Sequence, residues 1–272
     1  MENRISVTIS AGIADVKLNR PEKMNALDQA MFDALVSTGE RLKREPGLRA
    51  VVLSGAGRAF CAGLDMGRFQ AMANADKDAD PKVSNAERLG RRTYGDANSA
   101  QHAVLVWQQI AVPVIAAVHG VALGGGFQVA LGADIRFVAP DTRMSILEIK
   151  WGLVPDMGGT VLMRRLARAD VIRELTFSGR MFSGTEALAY GFATRVSEHP
   201  YQDAMEYARE VANKSPHTIR AAKRLLKLAE SADDATLLMA ESNEQIAVMG
   251  SRNQTEAVAA ALQKRAPAFV DP

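Results

Sequence analysis

The order of short apolar runs and longer amphipathic segments predicts an α/β fold with a helical C-terminal part. Runs typical of buried strands alternate with helical patterns up to about residue 195. From residue 201 onward the pattern is helical throughout. A chain of 272 residues can form one large domain, or one domain with a smaller addition. We therefore predict a core over residues 1–200 and a helical region over 201–272.

The first quarter of the chain alternates strand and helix signals. Asp28 is a typical N-cap residue ahead of an amphipathic segment, and AVVLSG is short and apolar enough to be buried on both faces. The glycine-rich segment GAGRAFCAGLDM follows it, and residues 70–96 indicate a surface insertion because apolar periodicity fades there. The predicted elements are strands over 5–9, 13–18 and 50–55, and a helix over 28–43.

The stretch from Ala97 to Ala133 contains no Asp, Glu, Lys or Arg. Membrane spans need about 20 mostly apolar residues, but two glutamines, Pro113 and several glycines interrupt this stretch. It therefore predicts buried elements of a globular protein rather than a membrane span. The predicted elements from here are a helix from about 97, strands over 113–118 and 134–139, a helix opened by the glycine segment, and another from about 158.

Charge and cysteine content narrow the classes of function. With 33 basic and 31 acidic residues the net charge is +2, and no basic run with interleaved aromatics suggests a nucleic-acid partner. One cysteine, Cys61, excludes a disulfide within the chain, so we expect a reducing, cytoplasmic setting. No cluster has the spacing of metal ligands, and we predict no metal.

Three consecutive glycines, Gly124–Gly126, lie where a predicted strand turns into a predicted helix. The first N–H groups of a helix lack internal partners and carry partial positive charge. Glycine also lets a ligand reach the backbone. The segment therefore suits an anion or a carbonyl oxygen that becomes one, and the loop after AVVLSG is a candidate for a second donor. The alternative is tight helix packing, which needs small residues for space alone.

Two carboxylates are candidate acid/base groups. Glu148 lies among apolar residues, where a raised pKa favours proton transfer. The alternative is a strand residue that points outward and pairs with Lys150 or Arg143. Asp156 lies in Val-Pro-Asp-Met-Gly, where turn chemistry or a helix cap is the alternative.

Several segments together resemble the crotonase, or enoyl-CoA hydratase/isomerase, superfamily. The resemblance covers nearly the whole chain, in order and at suitable spacing. It implies a spiral of repeated ββα units and a C-terminal helical region used in trimer contacts. The segments are NRPEKMNAL (19–27), GAGRAFCAGLDM (55–66), PVIAAVHGVALGGGFQVALGADIRF (113–137), LEIKWGLVPDMGGT (147–160) and SGRMFSGTEALAYGFATRV (178–196).

The resemblance also implies an acyl-CoA substrate whose thioester oxygen lies between two backbone N–H donors, here those of Leu64 and Gly125. Each such donor typically contributes about 3 kcal/mol of transition-state stabilisation. It implies no cofactor beyond the CoA of the substrate, and a homotrimer or dimer of trimers. The residues it suggests for CoA are Met24, Ala26, Ala62, Asp65, Lys264 and Arg265.

One departure from the family pattern concerns the reaction. Hydratases of this family use two glutamates; one matches Glu148, whereas the other position is Gln128, an amide that cannot take up a proton. Asp156 matches an aspartate of the dienoyl-CoA isomerase branch, although that branch usually has a third acid at Gln128. We therefore expect double-bond isomerisation of (di)enoyl-CoA by Glu148 and Asp156. The alternatives are 2-enoyl-CoA hydration in fatty-acid degradation, with Glu148 as sole carboxylate base, another crotonase reaction such as thioester hydrolysis, and a CoA-ligand-binding protein without turnover.

Overall fold

The computed structural model describes residues 4–70 and 89–272. Most of the predicted insertion at 70–96 lies outside these residues. Six of the described strands form a sheet in the order β1-β2-β3-β4-β6-β8, antiparallel between β1 and β2 and parallel elsewhere. A mixed α/β fold is thereby confirmed. The strands are β1 (Ile5–Ser10), β2 (Ile13–Leu18), β3 (Ala50–Gly55), β4 (Val114–Val118), β6 (Ile135–Val138) and β8 (Arg195–Val196).

Helices cover both faces of this sheet. The side chains of Val51 and Leu53 in β3 belong to the larger apolar core, whereas Ala50 and Val52 point to the other face. This explains why AVVLSG is apolar at successive positions. The helices of at least five residues whose two ends both lie within the described residues are α1 (Gln29–Leu42), α2 (Ser99–Gln109), α3 (Gly125–Leu131), α4 (Gly159–Met163), α5 (Ala169–Ser178), α6 (Gly184–Tyr190), α7 (Pro200–Ala212), α8 (Pro216–Leu228), α9 (Asp234–Val248) and α10 (Arg252–Leu262).

Local sequence signals account for several helix ends. The Asp28 side chain accepts a hydrogen bond from the Met31 N–H at 2.8 Å, as the N-cap prediction for α1 requires. Asn98 and Gln101 form a reciprocal capping box at the start of α2. The charge-free stretch at 97–133 is divided among α2, β4, a short strand over Val121–Leu123 and α3. In the two described ranges, no helix has both the length and the apolarity to cross a bilayer.

A second, two-stranded sheet positions the centre of the molecule. β5 (Val121–Leu123) pairs in parallel with β7 (Arg143–Ser145), so that Leu123 lies beside Ser145. β5 leads directly into α3, and β7 leads within three residues to a 3-10 helix at Glu148–Trp151. The start of α3 and the start of the 3-10 helix are therefore brought together.

The C-terminal helices differ in how they pack. α7 lies on the main sheet through Ala204, Ala208 and Ala212, so the helix that spans the predicted division at 200/201 packs on the core. In contrast, α9 buries no residue in the single chain. Large apolar side chains are exposed on α8, α9 and α10 and at Met249, the C-cap residue of α9; they are Leu226, Leu238, Met239, Ile246, Met249, Val258 and Leu262.

Candidate active site

The two glycine-rich segments meet through an isolated parallel bridge between Cys61 and Ala122. The Cys61 N–H donates to Val121 O at 3.0 Å, and the Leu123 N–H donates to Cys61 O at 3.1 Å. Leu64 and Gly125 each follow their bridged residue by three positions. The two backbone donors suggested by the sequence therefore lie on segments that run side by side.

Both N–H groups are available to a ligand in the described residues. Gly125 is the first residue of α3, where an N–H has no intrahelical acceptor. Hydrogen bonds around Leu27 use Gly63 O and the Asp65 N–H on either side of Leu64, but no described group accepts from the Leu64 N–H. A Cβ on Gly63 would lie 3.7 Å from Gly125 N, which shows how closely the segments approach.

At each glycine of the triplet, an added Cβ would meet a different neighbour. Gly124 has φ +49°, and a Cβ there would lie 3.4 Å from Oε1 of Glu148. A Cβ on Gly125 would come within 2.9 Å of the side chains of Leu27 and Met157. A Cβ on Gly126 would lie 2.3 Å from Cys61 O. Tight packing thus explains Gly126. The N–H of Gly125 has no intrahelical acceptor and can donate to a ligand.

Glu148 opens the 3-10 helix that follows β7, so it is not the outward-pointing strand residue of the alternative interpretation. Its Oε1 accepts a hydrogen bond from Gln128 Nε2 at 2.6 Å. Burial raises the pKa of Glu148, and the charge of Asp156 raises it further, while the hydrogen bond from Gln128 opposes the change. A carboxyl with a raised pKa is suited to exchange protons near neutral pH.

Gln128 is buried and uses both ends of its amide. Oε1 accepts from the Met157 and Gly159 N–H groups, each at 2.9 Å, and Nε2 donates to Glu148. The sequence singled out this residue because an amide replaced an acid. Its partners come from residues 20 to 31 positions away, so local sequence gave no signal for them.

Asp156 lies on the exposed segment that leads into α4. The N-cap of that helix is Gly158, so Asp156 does not occupy the cap position of the alternative interpretation. Both Asp156 and Glu148 line one cavity of about 1160 Å³, and their charges interact. The geometry thus combines two carboxylates and two backbone donors, which suits proton transfer next to a stabilised oxyanion.

The residues suggested for CoA adenine line the same cavity. Met24 O accepts from the Ala62 N–H at 2.9 Å, which joins the two segments that carry them. Burial would raise the pKa of Asp65, but hydrogen bonds from Arg20 and the Gly67 N–H outweigh it and lower the pKa. Asp65 therefore acts first as the partner of Arg20, at 2.6 Å.

Lys264 and Arg265 are not among the residues that line this cavity in the single chain. They follow the end of α10, and the Arg265 guanidinium donates to both carboxylate oxygens of Glu256, at 2.5 and 2.8 Å. This ion pair is exposed. The single chain therefore keeps these two cations apart from the other suggested site residues.

Four further lining residues were not predicted. Arg20 and Lys23 belong to NRPEKMNAL and bring positive charge to the cavity beside Met24. Phe69 and Trp151 stack on each other, with ring centroids 4.4 Å apart. Trp151 lies in the segment already singled out for Glu148, and its position three residues later on a short helix was the available signal.

Comparison with known proteins finds similar chains of known name. The mitochondrial Delta(3,5)-Delta(2,4)-dienoyl-CoA isomerase of Mus musculus is 31% identical over 261 residues, covering 93% of this chain and 77% of that protein. The 1,2-epoxyphenylacetyl-CoA isomerase of Escherichia coli (strain K12) is 31% identical over 263 residues, covering 96% of each. A solved enoyl-CoA hydratase from Bacillus anthracis superposes with a TM-score of 0.84 at 28% identity, covering 98% of both chains.

The family model for enoyl-CoA hydratase/isomerase matches residues 8–272. The chain therefore belongs to the enoyl-CoA hydratase/isomerase family and is an enzyme of that family. The family assignment made from the sequence, with its likeness to dienoyl-CoA isomerases, is confirmed. Because similar proteins include mitochondrial and peroxisomal ones, the cytoplasmic location stays a prediction.

Proposed function

We propose that this enzyme isomerises dienoyl-CoA thioesters, converting a 3,5-dienoyl-CoA to a 2,4-dienoyl-CoA. The observation that carries the proposal is that Glu148 and Asp156 line one cavity, where the third acid position is the amide Gln128. A proton shift needs one carboxylate to remove a proton and another to deliver one, and Glu148 and Asp156 supply both. Hydration in this family uses two glutamates, and one of those positions is Gln128 here. Relatives named as dienoyl-CoA isomerases support the same reaction.

The proposed reaction moves one proton and adds no atom. Glu148 lies next to Gly124, whose neighbour Gly125 supplies one N–H donor, so we assign Glu148 to the end of the acyl chain near the thioester. It takes a proton from C2, and the electrons move into the thioester as an enolate whose oxygen accepts from the Leu64 and Gly125 N–H groups. Asp156 delivers a proton to C6, and the double bonds move to C2 and C4. Glu148 is then protonated and Asp156 ionised, and proton exchange with solvent restores the starting protonation state of both.

We propose that CoA lies against the segment around Met24 and Ala26 and the loop containing Ala62 and Asp65. Backbone atoms of these residues suit an adenine edge, and the lining cations Arg20 and Lys23 suit CoA phosphates. Lys264 and Arg265 lie outside the cavity of their own chain. Their proposed contact with CoA phosphates therefore requires the site of a neighbouring subunit.

We propose a homotrimer, or a dimer of trimers, in which the region after residue 200 supplies subunit contacts. The exposed apolar side chains of α8, α9 and α10 support this assembly, since such surface is usually covered by protein. The ββα spiral implied by the family resemblance belongs to the same proposal. Sedimentation of the purified protein tests it: a monomer at micromolar concentration would contradict it.

Hydration of 2-enoyl-CoA is the second candidate. It is favoured by the solved structures of similar chains that are named enoyl-CoA hydratases. Glu148 would then be the sole carboxylate base acting on water, with Gln128 as its hydrogen-bond partner. The two reactions differ in their need for Asp156, which only the isomerisation uses as a proton donor.

The deciding experiment offers 3,5-dienoyl-CoA and crotonyl-CoA separately and follows the ultraviolet absorbance of each. We expect conversion of the dienoyl thioester, and its loss by at least about a hundredfold in both Glu148→Gln and Asp156→Asn. Rapid crotonyl-CoA hydration that is unchanged in Asp156→Asn would refute the isomerase and favour the hydratase. If CoA binds and Glu148→Gln leaves every tested reaction unchanged, a binding protein without turnover is favoured. Release of free CoA would indicate thioester hydrolysis.

A further inference from the structure

The hydrogen bonds of Gln128 determine which way its amide points. Two backbone N–H groups, those of Met157 and Gly159, approach the same end of the side chain at 2.9 Å. Only the amide oxygen can accept from them, so the NH₂ group must face Glu148. The side chain is 1% exposed, and it joins the Glu148 carboxylate to the segment that follows Asp156.

We propose that Gln128 is a positioning residue that leaves Oε2 of Glu148 as the proton-exchanging atom and holds the Asp156 segment in place. This inference rests on the proposed roles of Glu148 and Asp156. It concerns a residue that does not itself exchange a proton with the substrate. An ionised acid at the same position could not donate the hydrogen bond to Glu148.

The two oxygens of Glu148 are unequal because of this contact. Oε1 accepts the 2.6 Å hydrogen bond from Gln128, whereas Oε2 is buried without a hydrogen-bond partner among the described residues. An unpaired buried carboxylate oxygen is costly, and it keeps its lone pairs for a proton. Oε2 is therefore the oxygen of Glu148 whose lone pairs no described group uses.

The amide also avoids a second titrating group in contact with Glu148. A carboxyl at position 128 would place an oxygen about where Nε2 now lies, 2.6 Å from Oε1 of Glu148. Two carboxyls that close share a proton and titrate as a coupled pair. With the amide, Glu148 is the one titrating group at this contact, and Gln128 always donates the hydrogen bond to it.

The other end of the amide fixes the segment that carries the second carboxylate. Asp156 directly precedes Met157, whose N–H is held by Gln128 Oε1. A Cβ on Gly159 would lie 2.6 Å from that oxygen, so a glycine is needed for this approach. One side chain thus sets the relation between Glu148 and Asp156, and a displacement of about 1 Å at such a site can cost a hundredfold in rate.

The test compares Gln128→Glu and Gln128→Leu with the wild-type protein and with Gln108→Glu as the charge-matched control. Gln108 accepts from Lys227 at 2.7 Å, away from the cavity. The first readout is the carboxyl titration of Glu148, followed by NMR of protein labelled with ¹³C-glutamate and assigned with Glu148→Gln. The second is kcat and KM for the dienoyl thioester against pH.

We expect one titration step for Glu148 in the wild type and in the control, and two coupled steps in Gln128→Glu. In Gln128→Leu the step moves to higher pH because the donated hydrogen bond is lost. That variant should lose about 10- to 100-fold in kcat with KM changed less than about threefold. A structural role alone would lower thermal stability without moving the Glu148 titration.

An unchanged Glu148 titration in folded Gln128→Glu would overturn the inference, because the two side chains would not be in contact. If Gln128→Leu does not fold, Gln128→Glu still decides, since its carboxylate can accept from both N–H groups. A wild-type protein that shows no isomerisation but keeps the coupled titration in Gln128→Glu would refute the proposed reaction while supporting Gln128 as the partner of Glu148.

Discussion

The rings of Phe69 and Trp151 stack at the cavity wall, with centroids 4.4 Å apart and planes inclined by 24°. Trp151 is the last residue of the 3-10 helix that Glu148 opens. Side chains three residues apart are eclipsed on such a helix. The indole is therefore on the same side of the turn as the carboxylate, and the stacked pair forms an aromatic surface next to it.

We predict that Trp151→Leu changes the preference for acyl chain length. A long acyl chain that passes Glu148 would contact the aromatic surface, whereas a short one would not. Lost aromatic contacts of about 0.5 to 1.5 kcal/mol correspond to a selectivity change of about 2- to 10-fold. The measurement is the ratio of kcat/KM for a long and a short 3,5-dienoyl-CoA.

Phe177→Leu is the control for this prediction, because Phe177 is 74% exposed and does not line the cavity. It should leave the ratio unchanged. Equal losses for both substrates in Trp151→Leu would show that the indole supports the local fold instead of contacting the acyl chain.

A second prediction concerns the pH dependence of Glu148. Burial raises its pKa, and the charge of Asp156 adds to the increase. As a base Glu148 must be deprotonated, so the rate of proton removal from C2, which does not need Asp156 as a proton donor, is constant above the pKa of Glu148 and falls as pH decreases through it. Asp156→Asn removes the repulsive charge, lowers the pKa of Glu148, and should move this fall to lower pH.

The measurement uses deuterium exchange at C2 of a saturated acyl-CoA, because this half-reaction needs Glu148 and the two N–H donors without proton delivery to C6. We expect Asp156→Asn to keep the exchange and shift its acidic limb downward, and Asp141→Asn, at an exposed aspartate outside the cavity lining, to leave it unchanged. A limb that stays in place in Asp156→Asn would mean that the two carboxylates do not interact.

Short-range rules explain the parts of the fold that the sequence predicts well. Asp28 caps α1 through a contact three residues away, and β3 is apolar on both faces because both are covered. Residue patterns singled out Glu148 and Asp156, and the family resemblance suggested their roles. However, the meeting of the two glycine segments depends on a bridge between Cys61 and Ala122, which are far apart in the chain. Periodicity carries no information about such pairing.

The same limit applies to Gln128. The sequence shows an amide at an unusual place, but the direction of the amide depends on two N–H groups from a distant turn. Likewise, the strand alternative for Glu148 followed from alternation in the sequence, whereas the chain turns into a 3-10 helix after Ser145. Tertiary contacts decide both cases, and local patterns do not contain them.

A third prediction tests the packing of the glycine triplet. Alanine is favoured over glycine in a helix by about 1 kcal/mol. At Gly126, however, a Cβ would lie 2.3 Å from Cys61 O, and overpacking typically costs about 1 to 3 kcal/mol. We therefore expect Gly126→Ala to lower the midpoint of thermal unfolding. At Gly90 no heavy atom of the described residues would lie within 4 Å of an added Cβ, so Gly90→Ala should leave the midpoint unchanged or raise it. Equal effects of the two substitutions would contradict the close approach of α3 to the Cys61 loop.

A fourth prediction concerns Cys61, the only cysteine in the sequence. Its side chain is buried, and burial raises the pKa of the thiol to about 12. The thiolate is the reactive form, so at pH 8 only about one thiol in ten thousand would be ionised even if a reagent reached it. We expect no reaction of the native protein with a disulfide reagent over minutes, and one thiol per chain after unfolding in denaturant.

A Cys61→Ser protein that also carries Ser231→Cys, at an exposed position, should react at once and serves as the positive control. Fast reaction of native Cys61 would instead show that the loop holding Leu64 opens readily, because Cys61 pairs with Ala122 in the bridge that brings the two N–H donors together.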